Sequence, residues 1–306
     1  MKLSIVSTLF NSENYLDGFI NRITMVSQEF AGDDFEIILV DDGSSDNSLQ
    51  QSINYIAADY RVTVLELSRN FGHHQAIMTG LQYATGDQIF LIDSDLEEEP
   101  ELLLSFAKQM DSEGCDVVYG VQKKRKGRLA EKITGILFWN LINRISVIAI
   151  PKNISTVRLM SHDYVKALLQ YKERSLFLAG IWSITGFNQQ PQEIIKLDKS
   201  DSSYSFRKKL SLSVNAITSF SHMPLVAIFY FGCIVLIMAL IFSTYLLALH
   251  FSGNNILPGW ISILASIWIL GGLIISCLGI LGIYIAKIFI ESKKRPISII
   301  KKIHGK

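Results

Sequence analysis

The chain has 306 residues, and its 29 lysines and arginines against 28 aspartates and glutamates leave a formal net charge of +1. That length fits one large domain or two modest ones, and the near-zero balance excludes the global positive field that draws a protein to nucleic acid. Hydrophobic residues make up 49% of the chain, and the excess is concentrated toward the C-terminus.

In chain order, residues 3–7 (LSIVS) read as a short buried strand, and Leu16, Phe19, Ile20, Ile23 and Val26 recur at helical spacing after it. A second strand at 35–40 (FEIILV) ends in Asp41-Asp42-Gly43-Ser44-Ser45-Asp46, which carries turn and helix-capping chemistry. A third strand spans 62–67 and leads through a loop into a helix that stops near Gly86. A fourth strand at 88–92, a helix from Pro100 to about Met110 and a strand at 116–120 complete the pattern. This alternation predicts an α/β fold, Rossmann-like, with a mainly parallel sheet and helices on both faces. Ligands of such sheets bind beyond the carboxyl ends of the strands, where Asp41, Asp42, Asp93 and Asp95 converge.

From residue 121 the character changes. The basic run QKKRKGRLAEK precedes ITGILFWNLINRISVIAI, whose Asn140, Asn143 and Arg144 make it too polar to span a bilayer. A helix at about 126–148, lying in the membrane interface, is expected, and a second amphipathic stretch at about 204–222. Two charge-free runs follow, at 225–249 and 256–286, each longer than the roughly 20 residues a bilayer requires. They predict transmembrane helices at about 225–249 and 260–288. Arg207, Lys208 and Lys209 before the first, and Lys287, Lys293, Lys294 and Arg295 at and after the second, place both ends in the cytoplasm. No signal segment is apparent at the start. The expected division is therefore a cytoplasmic unit at 1–220 and a membrane domain with a basic cytoplasmic tail at 223–306, in a multi-pass protein of the plasma (inner) membrane. Cys115, Cys233 and Cys277 have no metal-binding spacing and read as packing residues.

The segment IFLIDSDLEEEP, residues 89–100, places Asp93 and Asp95 at i, i+2 where a buried strand ends. Such a pair suits Mg2+ or Mn2+, which takes one or two carboxylates and completes its shell with water and phosphate oxygens. Glu98 and Glu99 are expected to be solvated and to complement the following helix dipole. Glu97 is equally compatible with that role and with metal ligation.

VDDGSSDNS, LSRNFGHHQAIMTGLQYATGD, LIDSDLEEEPELL, DVVYGVQKKRKG, VRLMSHDYV, SFSHMPL and the two apolar C-terminal runs occur in the order found in one family. The chain resembles, over nearly its whole length, the family-2 glycosyltransferases that charge polyprenyl phosphates, including bactoprenol glucosyltransferases and dolichol-phosphate mannose synthases. The resemblance implies a GT-A fold, a nucleotide-sugar donor (a UDP-sugar foremost), a divalent cation, inversion at the anomeric carbon, and an undecaprenyl-type phosphate acceptor at the bilayer surface. It implies donor contacts from Thr8, Leu9, Asn11, Asp41, Asp42, Arg69 and Asp93, and metal contacts from Asp93, Asp95 and Glu97. Arg125, Arg128, Lys132, Lys208 and Lys209 are candidates for the acceptor phosphate. Asp95, Arg158 and Thr156 are the catalytic candidates. His73 and His74 are expected to shape their loop rather than transfer protons. A partner that flips the product outward, for surface polysaccharide modification of the cell envelope, and a homo-oligomer belong to the same expectation.

Three departures stand out. TLFNS replaces the family's PVYNE, Gln122 stands where Arg is usual, and STVRLM carries Thr156 where the family has Asp. A phosphate monoester is mostly dianionic at neutral pH and needs no base to remove a proton, so losing that Asp is compatible with catalysis. Two alternatives stand beside this reading: a membrane-bound polysaccharide-type transferase with a sugar acceptor, and a degenerate, non-catalytic GT-A binding protein.

Overall fold

The computed structural model describes residues 2–122, 151, 153–174, 176–196, scattered positions between 225 and 245, and 259–305. Eight strands form one sheet: β1 (Leu3–Leu9), β2 (Phe35–Asp41), β3 (Val62–Leu67), β4 (Gln88–Leu91), β5 (Val117–Gln122), β6 (Ile154–Ser161), β7 (Gln189–Ile194) and β8 (Ile300–His304). The helices are α1 (Glu13–Ala31), α2 (Ser48–Ala58), α3 (His73–Tyr83), α4 (Leu102–Glu113), α5 (His162–Leu168), α6 (Leu178–Ile184) and α7 (Trp260–Ser292).

The central strands are apolar at nearly every position because both faces of the sheet are covered. Successive side chains point to opposite faces, so Leu3, Ile5 and Leu9 pack with Leu16, Phe19 and Ile23 of α1 and Phe106 of α4. Val6, Ile38 and Val40 pack on the other face with Ala76, Ile77 and Leu81 of α3 and with Leu178 and Ile181 of α6. The residues predicted to form the apolar stripe of α1 are the ones buried. Gly80 allows α3 to approach closely, since a Cβ there would lie 2.5 Å from a Val6 methyl.

The strand order is β7-β5-β6-β4-β1-β2-β3-β8. Only β4-β1-β2-β3 is the continuous parallel core that the alternation predicts. The expectation of a mainly parallel sheet needs correcting to a mixed one. β6 inserts antiparallel between β4 and β5, and β5 pairs in parallel with β7 instead. Periodicity along the chain reports a strand's buried faces but not its neighbours, so this insertion is not visible in any local pattern.

Within α7, Ile269–Ser292 has a mean hydropathy of 2.4 and none of it is buried against the protein, so it is long and apolar enough to cross a membrane. The predicted span at 225–249 lies largely outside the described residues, although those described there are helical. The two expected interfacial helices also lie outside them.

The chain beyond α7, which reads as a basic tail in the sequence, is folded onto the sheet. It returns as β8, antiparallel to β3, with Lys301 and His304 both on the Glu66 carboxylate; His304 Nε2 is 2.9 Å from Oε2. Ser298 adds a 2.6 Å hydroxyl contact to Thr79 of α3. β8 thus covers an edge that β3 would otherwise expose. Deleting residues 299–306 is expected to cost about 2 kcal/mol and to speed exchange of β3 amides. Hydrogen exchange on both forms checks this; unchanged protection in β3 would show that β8 contributes nothing.

Candidate active site

The β4 strand ends against a loop held from inside. Ser94 Oγ donates to the Thr8 carbonyl at 2.9 Å and lies 3.1 Å from Ser12 Oγ. Leu96 has a φ of 58°, a conformation uncommon for a non-glycine residue, and its buried side chain packs toward Gly18 of α1. With Ser94 and Leu96 anchored, the alternate residues Asp93 and Asp95 are left at the half-buried surface of the loop. Asp95 Oδ1 accepts the Glu97 N–H at 2.9 Å. Asp93 Oδ1 is buried without a hydrogen-bond partner, and His73 Nε2 stands 3.5 Å from it. Burial, reinforced by the Asp95 charge, pushes the Asp93 carboxyl up to about 6; Lys196 and the Thr156 hydroxyl oppose this. Burial raises Asp95 as well.

Thr156 therefore stands near enough to Asp93 for its side chain to bear on that carboxyl. Its neighbour Ser155 hydrogen-bonds Glu98, and Lys196 joins Glu98 at 2.9 Å to Glu97 at 3.1 Å. Glu98 is 0% exposed, which corrects its assignment to a solvated run. Glu99 is exposed as expected. Burial raises the Glu98 carboxyl, with the Asp93 charge next. Burial alone would lower the Lys196 ammonium, yet Glu98 and Glu97 hold it above its usual range. Lys196, just past the end of β7, carries no local signal in the sequence. It reaches the acids because β7 pairs with β5.

The nucleotide-side candidates gather beside this cluster. Asp42 is fully engaged: its two oxygens accept the Phe71 and Gly72 N–H groups at 2.7 and 3.0 Å, and its own N–H donates to Leu9 O. Asp41 accepts the Ser44 N–H at 3.3 Å and keeps Oδ1 unpartnered and buried; burial raises both carboxyls. Gly43, at φ 71°, lets the two loops touch, since a Cβ there would lie 2.7 Å from Asn70 N. Asn11, at φ 54°, accepts from the Ser45 N–H at 2.9 Å. The Leu9 side chain is buried in the core, which leaves only its backbone toward the site. Thr8 Oγ1 lies 3.1 Å from His73 Nδ1, and His74 Nδ1 lies 3.1 Å from the Leu176 carbonyl. Burial lowers both imidazoles, which favours their neutral form. Arg69 is exposed, 4.0 Å over the Phe71 ring.

Arg158 is placed differently from expectation. It is 0% exposed, stacked 3.1 Å from the Trp182 ring centroid, and it donates to the carbonyls of Thr156 and Ser155. Burial lowers it to about 10. It braces the segment that presents Thr156 and does not face the open site, because β6 is flanked on both sides and covered by α6. Arg125, Arg128, Lys132, Lys208 and Lys209 lie outside the described residues.

The oxygen-only pair Asp93 and Asp95, with one buried oxygen lacking a partner, fits a hard divalent cation. Glu97 is tied to Lys196, and among the described residues no three potential ligands converge into a closed cage. That arrangement suits a cation that draws its remaining ligands from water and substrate.

The cluster lies at the carboxyl edge of a Rossmann-like sheet, where sheets of this class bind their ligands. Residues 4–169 match the model of glycosyl transferase family 2, and the chain belongs to that family, with its GT-A type of mixed sheet. It is 44% identical over 305 residues to "Putative glycosyltransferases" of Mycobacterium tuberculosis, covering 100% of this chain and 89% of that one. It is 35% identical over 308 residues to the prophage bactoprenol glucosyl transferase homolog of Escherichia coli, covering 99% of each. A bactoprenol glucosyl transferase of Shigella phage SfII is 34% identical over 309 residues, again covering 99% of each.

Proposed function

We propose that this glycosyltransferase moves one sugar from a nucleoside-diphosphate sugar, a UDP-sugar foremost, to a polyprenyl phosphate at the cytoplasmic face of a membrane, with inversion. The observation that carries the reading is the Asp93–Asp95 pair at the carboxyl edge of the sheet, in a chain similar over its full length to bactoprenol glucosyl transferases. Asp93 and Asp95 would hold Mg2+ or Mn2+, and the bound cation would offset the charge on the diphosphate leaving group. Asp41 offers its unpartnered oxygen to the nucleoside, and Asp42 keeps the Phe71–Gly72 loop in place for it. Arg69, Thr8, Asn11 and the Leu9 backbone complete the donor side.

A phosphate dianion attacks without prior deprotonation, so Thr156 has no proton to remove. Its hydroxyl would instead help to orient Asp93, on whose carboxyl it bears. Direct attack by the acceptor in one displacement inverts the anomeric centre and needs no enzymic nucleophile. α7 brings the domain to a bilayer, and β8 returns the chain to the sheet, which keeps the end of α7 beside the site. A second span at 225–249, interfacial helices at 126–148 and 204–222, and a cytoplasmic unit at 1–220 belong to this reading. So do the acceptor contacts of Arg125, Arg128, Lys132, Lys208 and Lys209.

Purified full-length protein, given a panel of radiolabelled nucleotide sugars and undecaprenyl phosphate with and without Mn2+, is expected to yield one labelled lipid, dependent on metal. Nucleotide binding with no product from any donor would instead identify a degenerate binding protein.

A further inference from the structure

The β3–α3 loop meets the turn that follows α7, and a cavity of about 240 Å³ lies between them. Its lining combines Arg69, Arg174, Lys293 and Arg295 with the apolar side chains of Phe289 and Ile297. Two of the cations rest on rings rather than on acids: Lys293 Nζ is 4.0 Å from the Phe289 centroid, and Arg69 lies over Phe71. Among the described residues none of the four is within ion-pair distance of a carboxylate. Arg174 Nε is buried with no hydrogen-bond acceptor, while its Nη1 donates to the Lys172 carbonyl at 3.1 Å. The adjacent acid Glu291 accepts the Arg174 backbone N–H at 2.8 Å, which fixes the residue.

Four cations around one small cavity repel one another, and a buried donor without an acceptor is costly. An anion removes both penalties. The apolar lining calls for an anion joined to hydrocarbon. The position would supply one: the cavity forms in the turn after Ser292, where the exposed apolar run of α7 ends, which for a helix crossing a bilayer is the depth of lipid headgroups.

We propose that this cavity binds the phosphate headgroup of a membrane lipid, on the same reading that α7 crosses a bilayer. The phosphate comes either from the polyprenyl acceptor or from an anionic phospholipid. Both have the required chemistry, a phosphate ester on an apolar chain. Held there, the lipid would fix the end of α7 against the loop that carries Phe71 and Gly72, the two groups bonded by Asp42.

The test reconstitutes full-length protein in phosphatidylcholine nanodiscs doped with either undecaprenyl phosphate or phosphatidylglycerol. Lipid retained on the released protein is counted by native mass spectrometry. The Arg174→Gln/Arg295→Gln variant is expected to bind the retained lipid roughly 25-fold more weakly, about fivefold for each charge lost. Arg174→Lys/Arg295→Lys keeps the charge and is expected to stay within a few-fold of the parent, which shows that the fold is intact. Lys108→Gln/Lys166→Gln, two exposed charges elsewhere, is expected to match the parent. Preferential retention of undecaprenyl phosphate identifies the acceptor as the source, and preference for phosphatidylglycerol identifies the bulk lipid. Equal retention by the parent and the pocket variant, or an equal loss in the Lys108/Lys166 control, would overturn the site. Failure to enter nanodiscs would overturn the membrane reading and this site together. Loss of sugar transfer with selective retention intact would overturn only the proposed activity.

Discussion

Asp95→Asn and Asp93→Asn are each expected to reduce sugar transfer by at least about 10³-fold and to abolish Mn2+ binding measured by calorimetry, while the protein stays folded. Asparagine at 95 keeps an oxygen for the Glu97 N–H, so loss of activity cannot be assigned to loss of the loop. At position 93 the stability effect has the opposite sign to the activity effect. The folded-state value of about 6 lies above the unfolded value near 4. The folded metal-free protein therefore holds a proton that the unfolded chain releases. The stability this contributes is present below about pH 4 and is lost as pH rises through about 6, by roughly 3 kcal/mol at most. Asp93→Asn should remove that decline, so that metal-free Asp93→Asn melts higher than the parent at pH 7. Added Mn2+ should raise the melting temperature of the parent alone. Transfer by Asp95→Asn at the parent rate would show that the pair does not serve the reaction.

Lys196→Met is expected to destabilise the protein by about 3 kcal/mol, because it leaves the fully buried Glu98 without its cation and close to Asp93. For a domain of this size that corresponds to a fall of about 8 °C in melting temperature. Glu98→Gln is expected to cost much less, since it still accepts from Ser155, and in the Lys196→Met background it should restore most of the loss. Full additivity of the two changes would show that the ion pair contributes no coupling energy. Mn2+ should also partly rescue Lys196→Met, because the cation and the ammonium offset the same cluster of carboxylates.

The sequence by itself determined the elements whose causes are local. The apolar runs of β1 to β4, the stripe of Leu16, Phe19, Ile20, Ile23 and Val26, and the charge-free run at 256–286 each follow from the spacing of neighbouring residues. The same holds for the placement of Asp41, Asp42, Asp93 and Asp95 together, since parallel strands joined by helices bring their carboxyl ends to one edge. The tertiary structure alone decided the rest. Glu98 reads as one acid in a solvated run until Ser155 and Lys196 close over it. Arg158 reads as a catalytic candidate, and only the fold shows it buried and stacked on Trp182. Residues 300–304 read as a basic tail because β8 lies at a sheet edge and is only partly buried, so it shows no apolar alternation. Arg69, Arg174, Lys293 and Arg295 are scattered charges until the end of α7 and the β3–α3 loop bring them around one cavity. Periodicity encodes which face of an element is buried. It does not encode which distant segment buries it, and that pairing sets the charge balance of both the acidic site and the cationic cavity.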